Sequence, residues 1–180
     1  MKQISIKTGE TLTIREAIPK DAAAIIAYAK TVGDETNFLT FSADDFTISL
    51  EDEQQIIEAH RRAANQLFIV GLLDGAVISV LNVKASSKPR LAHYGEFGIG
   101  VVKAHWGKGV GGAMIEYMIA WARESGIIRK IQLRVLESNV KAIQLYTKLG
   151  FEVEGKIRRD LQLDGVFYDA FSMGLVIDEE

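Results

Sequence analysis

A glycine-rich string at residues 106–112, WGKGVGG, is the feature that most constrains this chain. It lies between residues 94–102, which have the composition of a strand, and residues 109–124, whose apolar positions repeat with a helical period. Glycines let a backbone turn tightly and approach a ligand closely. The unpaired N–H groups of a helix start, joined here by Lys108, form a natural seat for a phosphate. The string therefore predicts an anion-binding turn, and the plainer interpretation is a tight strand-to-helix connection.

Two nucleotide-binding motifs compete for this string. A P-loop ends in Gly-Lys followed by Ser or Thr, a pattern that is absent here. The dinucleotide fingerprint G-x-G-x-x-G is present as Gly107, Gly109 and Gly112, and Glu137 imitates the acidic residue that binds the ribose. That fingerprint normally belongs to repeated parallel βαβ units, and the first half of the chain shows none. Rossmann-type dinucleotide binding is therefore the weaker alternative.

The composition is that of an ordinary globular chain. Its 180 residues fit one domain, predicted over 1–180, and 48% hydrophobic with 25% charged residues is a normal balance. The absence of cysteine excludes disulfides, thiolate metal sites and a cysteine nucleophile. A net charge of −3 lacks the basic footprint of a nucleic-acid binder, so we expect no nucleic-acid partner.

No segment predicts a membrane location. The opening residues, MKQISIKTGE, contain no apolar signal-peptide region. The most apolar stretch, residues 67–83, is interrupted by Asp74 and Asn82 and reads better as two strands than as a membrane span. We therefore expect a cytoplasmic protein.

Periodicity and turn residues predict the α+β class with mostly antiparallel neighbouring strands. A strand pair opens the chain, two helices follow, and strands then alternate with two further helices. The predicted strands cover residues 3–8, 11–17, 67–73, 76–84, 94–102, 130–136, 151–158 and 167–176. The first predicted helix starts near residue 21, and three further helices cover 49–64, 109–124 and 139–149.

A second motif follows the glycine string at residues 139–151, with the form N-x-x-A-x-x-L-Y-x-x-x-G-F. Ala142 and Tyr146 fall on one helical face, which turns Tyr146 towards the core. Asn139 suits the N-cap of this helix, and Gly150 suits a left-handed C-cap. A buried tyrosine needs a partner for its hydroxyl, so Tyr146 is either an ordinary core aromatic or a functional group.

Together these motifs resemble those of the GNAT superfamily of N-acetyltransferases. Residues 96–102 with 106–112 resemble its motif A, with Gly109 and Gly111 in the glycine positions and Trp106 where Arg or Gln is more usual. A Trp-Gly-Lys-Gly string is common in the branch that includes the ribosomal-protein N-terminal acetyltransferases. Residues 139–151 resemble motif B, and the likeness extends over about residues 11–176.

The resemblance implies a GNAT fold, a mixed and mostly antiparallel sheet flanked by helices, and acetyl-CoA as co-substrate without a metal. It also implies that Tyr146 lies close to the thioester sulfur and protonates the departing thiolate. The residues that it assigns to acetyl-CoA binding are Gly100, Val101, Val102, Trp106, Gly107, Lys108, Gly109, Val110, Gly111, Gly112, Asn139, Ala142 and Tyr146.

The implied reaction is direct attack of a primary amine on the thioester, which calls for a base near the amine. Glu96 is the first candidate, and His93 and His105 are the alternatives. The segment between the first two helices commonly borders the acceptor site in this fold. It contains Glu35, Phe38 and Leu39, which would bind the acceptor or simply cap a short helix and cover the core.

We therefore expect an N-acetyltransferase acting on a primary amine of a small molecule or on a protein N-terminus. The alternative of another class is a CoA-binding sensor domain without catalysis. Acceptor identity and oligomeric state, a homodimer included, stay open.

Overall fold

The computed structural model describes residues 1–177, so the last three residues of the predicted domain lie outside it. Within that range the chain forms eight strands and four α-helices. The strands are β1 Lys2–Ser5, β2 Thr11–Glu16, β3 Leu67–Leu73, β4 Ala76–Ala85, β5 Tyr94–Val101, β6 Lys130–Leu136, β7 Glu152–Leu163 and β8 Val166–Val176. The helices are α1 Ala22–Glu35, α2 Leu50–Arg62, α3 Val110–Glu124 and α4 Val140–Lys148.

All eight strands join one sheet in the order β1-β2-β3-β4-β5-β6-β8-β7. Among the described residues, every neighbouring pair is antiparallel except β5 and β6, which the helix α3 connects in parallel. The predicted α+β class with a mostly antiparallel sheet is thus confirmed. The Rossmann-type alternative is wrong, because one parallel pair cannot supply the repeated parallel βαβ units of a dinucleotide fold.

Asp-Gly pairs form the turns of two hairpins, β3–β4 and β7–β8. Asp74 and Gly75 have φ of 47° and 82°, and Asp164 and Gly165 have φ of 48° and 79°. Positive φ at both central residues matches the right-handed twist of the flanking strands. Strand β7 is longer than the predicted 151–158, because it continues through a bulge in which Arg159 has a φ of 55°.

Helices cover both faces of the sheet. Met114 and Met118 of α3 are fully buried against Leu81 and Ile131, and α4 adds Tyr146 to the same cluster. On the other face, α1 and α2 bury Ile25 and Ile57 against β3. Each of these side chains contributes about 1.5–3 kcal/mol through burial. The cluster beneath α3 and α4 also contains Phe97 of β5, the strand that carries the residues discussed next.

No helix within residues 1–177 is long and apolar enough to cross a membrane.

Candidate active site

The parallel strands β5 and β6 separate shortly after they meet. Their pairing covers Tyr94–Glu96 against Lys130–Gln132 and stops there. Val102 donates its main-chain N–H to Ile78 at 2.9 Å, and main-chain groups alternate sides along a strand. Phe97, Ile99 and Val101 therefore direct their N–H and C=O groups into the opening between β5 and β6. This opening offers hydrogen bonds to an extended ligand that carries amides.

The glycine string forms the turn from β5 into α3. Gly107 and Gly109 have φ of 74° and 94°, which L-residues with a side chain rarely adopt. Gly109 is the N-cap of α3, and no side chain among the described residues caps the helix start. The first N–H groups of the helix, at residues 110–112, thus lack intrahelical partners. These N–H groups are free to donate to a phosphate, the ligand that the sequence predicts for this turn.

Trp106 closes this turn onto the end of β5. Its indole N–H donates to the main-chain oxygen of Val101 at 2.6 Å. The carbonyl oxygen of Val101 therefore accepts from the indole, while the N–H of Val101 stays directed into the opening.

Tyr146 lies on α4 beside the opening and is only 8% exposed. Its ring meets Phe97 and Phe151 edge-on, each at 6.0 Å between centroids. Within residues 1–177 its hydroxyl has no hydrogen-bond partner, yet the hydroxyl is accessible from the cleft that the side chain lines. Burial raises the pKa of Tyr146 to about 12, so the phenol is protonated at neutral pH.

The same helix begins at a capped residue. The side-chain oxygen of Asn139 accepts from the N–H of Ala142 at 3.3 Å, as expected for an N-cap. Both residues line the cleft. The cap fixes the orientation of α4, and with it the position of Tyr146.

Glu96 is the last residue of β5 that pairs with β6. Its carboxylate accepts from Gln132 Nε2 at 3.1 Å and lies 3.5 Å from Nε of Arg134. The side chain is 42% exposed and lines the cleft. It is a positioned carboxylate, held on the edge of the opening by two neighbours on β6.

Of the two histidines considered as bases, His105 lines the cleft and His93 does not. His93 uses its main-chain oxygen to accept from the N–H groups of Arg129 and Lys130. His105 has a buried Nδ1 without a partner among the described residues.

The end of α1 and the segment after it contain one polar and two apolar residues of the predicted acceptor site, and these make different contacts. Glu35 accepts from the main-chain N–H of Lys103 at 2.7 Å and so caps the 3₁₀ turn Lys103–His105. Leu39 packs against a cluster that contains Tyr28, and Phe38 is exposed. Phe38 and Leu39 line the cleft, whereas Glu35 does not.

Gly98 of β5 leaves a hollow on the sheet face that α1 and α2 cover, because within residues 1–177 a side chain there would have only Asn82 Oδ1 within 4 Å. Gly98 lies opposite Asn82 in the register, and a side chain at Gly100 would collide with the hydroxyl of Tyr28. The hollow is continuous with the opening between β5 and β6, in a cleft of about 1890 Å³. A second substrate can thus approach from this face.

Glu53 of α2 also lines this hollow and was not among the predicted site residues. It is 4% exposed in a helix of mostly polar sequence. In the structure Glu53 shares a buried helical face with Ile57 and His60, and the mostly polar sequence of α2 gave no signal of this burial.

The cleft fits acetyl-CoA in two independent ways. The uncapped helix start offers N–H donors for a pyrophosphate, and the opening beside β5 offers main-chain groups to the amide-bearing arm. The unpartnered hydroxyl of Tyr146 lines the same cleft.

Comparisons with known proteins agree with this geometry. A structure from Streptococcus pneumoniae described as an acetyltransferase of the GNAT family is 34% identical, with a TM-score of 0.90 over 93% of this chain and 99% of that one. A structure from Salmonella typhimurium that was solved with acetyl-CoA is 25% identical, with a TM-score of 0.82 over 94% and 95% of the two chains.

A curated relative is the L-amino acid N-acetyltransferase AaaT of Escherichia coli, which is 32% identical over 60% of this chain and 67% of its own. The model of the acetyltransferase (GNAT) family matches residues 35–151. The chain therefore belongs to the GNAT family of acetyltransferases.

Proposed function

We propose that this protein transfers the acetyl group of acetyl-CoA to a primary amine of a small molecule or of a protein N-terminus by direct attack. The observation that carries the proposal is the hydroxyl of the buried residue Tyr146, which has no partner within residues 1–177 and opens onto the cleft. A hydroxyl in that position can donate its proton to a ligand bound in the cleft.

The residues of the cleft divide the binding of acetyl-CoA among them. The N–H groups at residues 110–112 and the ammonium of Lys108 hold the pyrophosphate. Main-chain groups of Phe97, Ile99 and Val101 hold the arm, and the N–H at Val101 supports negative charge on the thioester oxygen. Asn139 and Ala142 line the same channel.

The transfer needs one proton acceptor and one proton donor. The amine nitrogen attacks the carbonyl carbon, and the bond from that carbon to sulfur breaks. Glu96 takes the proton lost by the amine, directly or through a water, and Tyr146 gives its proton to the departing sulfur. A proton transfer between the two residues through solvent then restores the starting state.

The acceptor approaches over the hollow floored by Gly98, in the cleft that Phe38, Leu39 and Glu53 of α2 also line. The name of the Escherichia coli relative points to amino acids as one class to test. A protein N-terminus remains the second class.

The test is release of free CoA thiol from acetyl-CoA in the presence of alkylamines, diamines, amino acids and short peptides. Amine-dependent release that is lost in Tyr146→Phe supports the proposal. Acetyl-CoA binding without release for any amine would instead support the alternative, a CoA-binding sensor without catalysis.

A further inference from the structure

Glu53 is a buried carboxylate with an unfilled hydrogen-bonding capacity. Glu53 as a whole residue is 4% exposed. Within residues 1–177 no hydrogen bond or ion pair reaches the carboxylate, and its oxygens remain accessible from the cleft. A carboxylate removed from water without a partner is costly. Its place on the wall of the cleft means that a ligand can supply the missing donor.

The charged neighbours of Glu53 do not supply that donor. Lys84 on β4 attracts the carboxylate and opposes the effect of burial, which raises the pKa of Glu53. Lys84 is nevertheless exposed and forms no ion pair with Glu53. His60, two turns further along the same face of α2, uses Nδ1 to bind the oxygen of Ile56 at 2.8 Å, and its ring packs edge-on against Phe68. Burial lowers the pKa of His60, which favours the neutral ring.

Two other carboxylates considered for this site already have partners. Glu96 is held by Gln132 and Arg134, and Glu35 accepts from the N–H of Lys103. Glu53 differs from both because it is buried and unpaired. A cationic group that enters the hollow therefore gains most at Glu53.

The walls between Glu53 and the opening are mainly apolar. Phe68 and Val80 line the inside, and Ile56 and Leu91 are exposed at the mouth. Such a surface suits a chain of methylene groups, which gains by leaving water. An alkyl chain that ends in an ammonium matches both the walls and the carboxylate.

We propose that Glu53 binds a second ammonium group of the acceptor, so that straight-chain α,ω-diamines are the preferred acceptor class. The inference rests on the proposed function, since the other amine of the same molecule attacks the thioester. Glu53 then determines which acceptor amine is preferred, and it takes no part in proton transfer.

The test compares KM for a series of diamines, from propane to heptane derivatives, with KM for n-alkylamines of the same chain length. Wild type should show the lowest KM for one diamine length. Glu53→Gln should raise that KM at least tenfold, equivalent to about 1.4 kcal/mol, and leave the KM of the matched alkylamine within about twofold. Glu51→Gln, the same change at an exposed position of α2, is the control and should change neither.

A second variant keeps the inference testable without Glu53→Gln. Lys84→Met removes a positive charge near the carboxylate, so it should lower KM for the diamine and leave the alkylamine unchanged. An equal rise for both amines in Glu53→Gln, or a wild type that prefers alkylamines, would overturn the diamine assignment while leaving acetyl transfer intact. A wild type that releases no thiol with any amine would instead overturn the proposed function.

Discussion

The indole N–H of Trp106 lies 2.6 Å from the main-chain oxygen of Val101. This bond ties the turn that leads into α3 to the end of the strand that flanks the cleft. Family members more usually carry Arg or Gln at this position, and here the indole makes a contact within the loop itself. The contact orients Val101, whose N–H faces the opening.

Trp106→Phe keeps an aromatic ring and removes this hydrogen bond. A bond of this kind is worth about 1 kcal/mol, so the dissociation constant of acetyl-CoA should rise about fivefold. Isothermal titration calorimetry measures the change. Trp121→Phe, on the part of α3 away from the cleft, is the matched control and should leave affinity unchanged. Equal affinity in wild type and Trp106→Phe would show that the bond does not order the loop.

Gly109→Val tests the phosphate seat. Gly109 has a φ of 94°, a conformation that a β-branched residue avoids, so the helix start must shift. The dissociation constant of acetyl-CoA should rise at least tenfold, equivalent to about 1.4 kcal/mol. Gly126→Val imposes comparable strain at a φ of 62°, outside the cleft. It should lower thermal stability without weakening binding, and a loss of affinity in both variants alike would count against a specific seat.

Tyr146→Phe removes one hydroxyl that has no partner within residues 1–177. Folding stability should therefore stay the same, while kcat falls about 10²–10⁴-fold through loss of the general acid. Acetyl-CoA affinity should change little. Steady-state kinetics and a melting curve make the measurement, with Tyr117→Phe on α3 as the control. A fall in kcat of less than about threefold would return Tyr146 to the role of an ordinary core aromatic.

The sequence alone predicted the features that depend on residues close together in the chain. The hairpins at Asp74-Gly75 and Asp164-Gly165 need positive φ at both central residues, and few residue pairs allow it. The cap at Asn139 and the glycine turn also depend on residues close in sequence. The boundaries of most elements were therefore predictable to within a few residues.

Features that depend on distant residues were not predictable in this way. The segment at residues 36–49 has no period, and Phe41 and Phe46 order it by packing on each other and on α1. Glu53 belongs to a helix of mostly polar sequence, LEDEQQIIEAHRR, and resembles a solvated surface carboxylate. Its burial depends on the β-sheet beneath α2, which the helix sequence does not describe.

The pH dependence of stability offers a test of Glu53 that needs no substrate. Burial raises the pKa of Glu53 above the ordinary value of 4.5. The folded state then binds more protons than the unfolded state at a pH above that value, so stability falls as pH rises through the window. Glu53→Gln removes this loss, and its Tm relative to wild type should increase as the pH rises above the ordinary value of 4.5.

The control for that experiment is again Glu51→Gln. It removes a negative charge from the first turn of α2, where such a charge is favourable, so its Tm should not rise. A Glu53→Gln variant that is less stable than wild type at neutral pH would mean that the carboxylate makes a stabilising contact after all.

Glu96→Gln tests the base through the pH profile of kcat/KM. An alkylammonium must lose a proton before its nitrogen can attack, and the free amine becomes abundant only as the pH approaches the pKa of the amine, about 10. A base therefore matters most at low pH, and the variant should be most impaired there and approach wild type at high pH. The measurement uses one good amine and both proteins over the same buffers. Arg134→Gln serves as the comparison, since it removes the cation 3.5 Å from Glu96 and keeps the carboxylate. Parallel profiles within about threefold for wild type and Glu96→Gln would exclude Glu96 as the base, and His105, which lines the same cleft, would be the next residue to test.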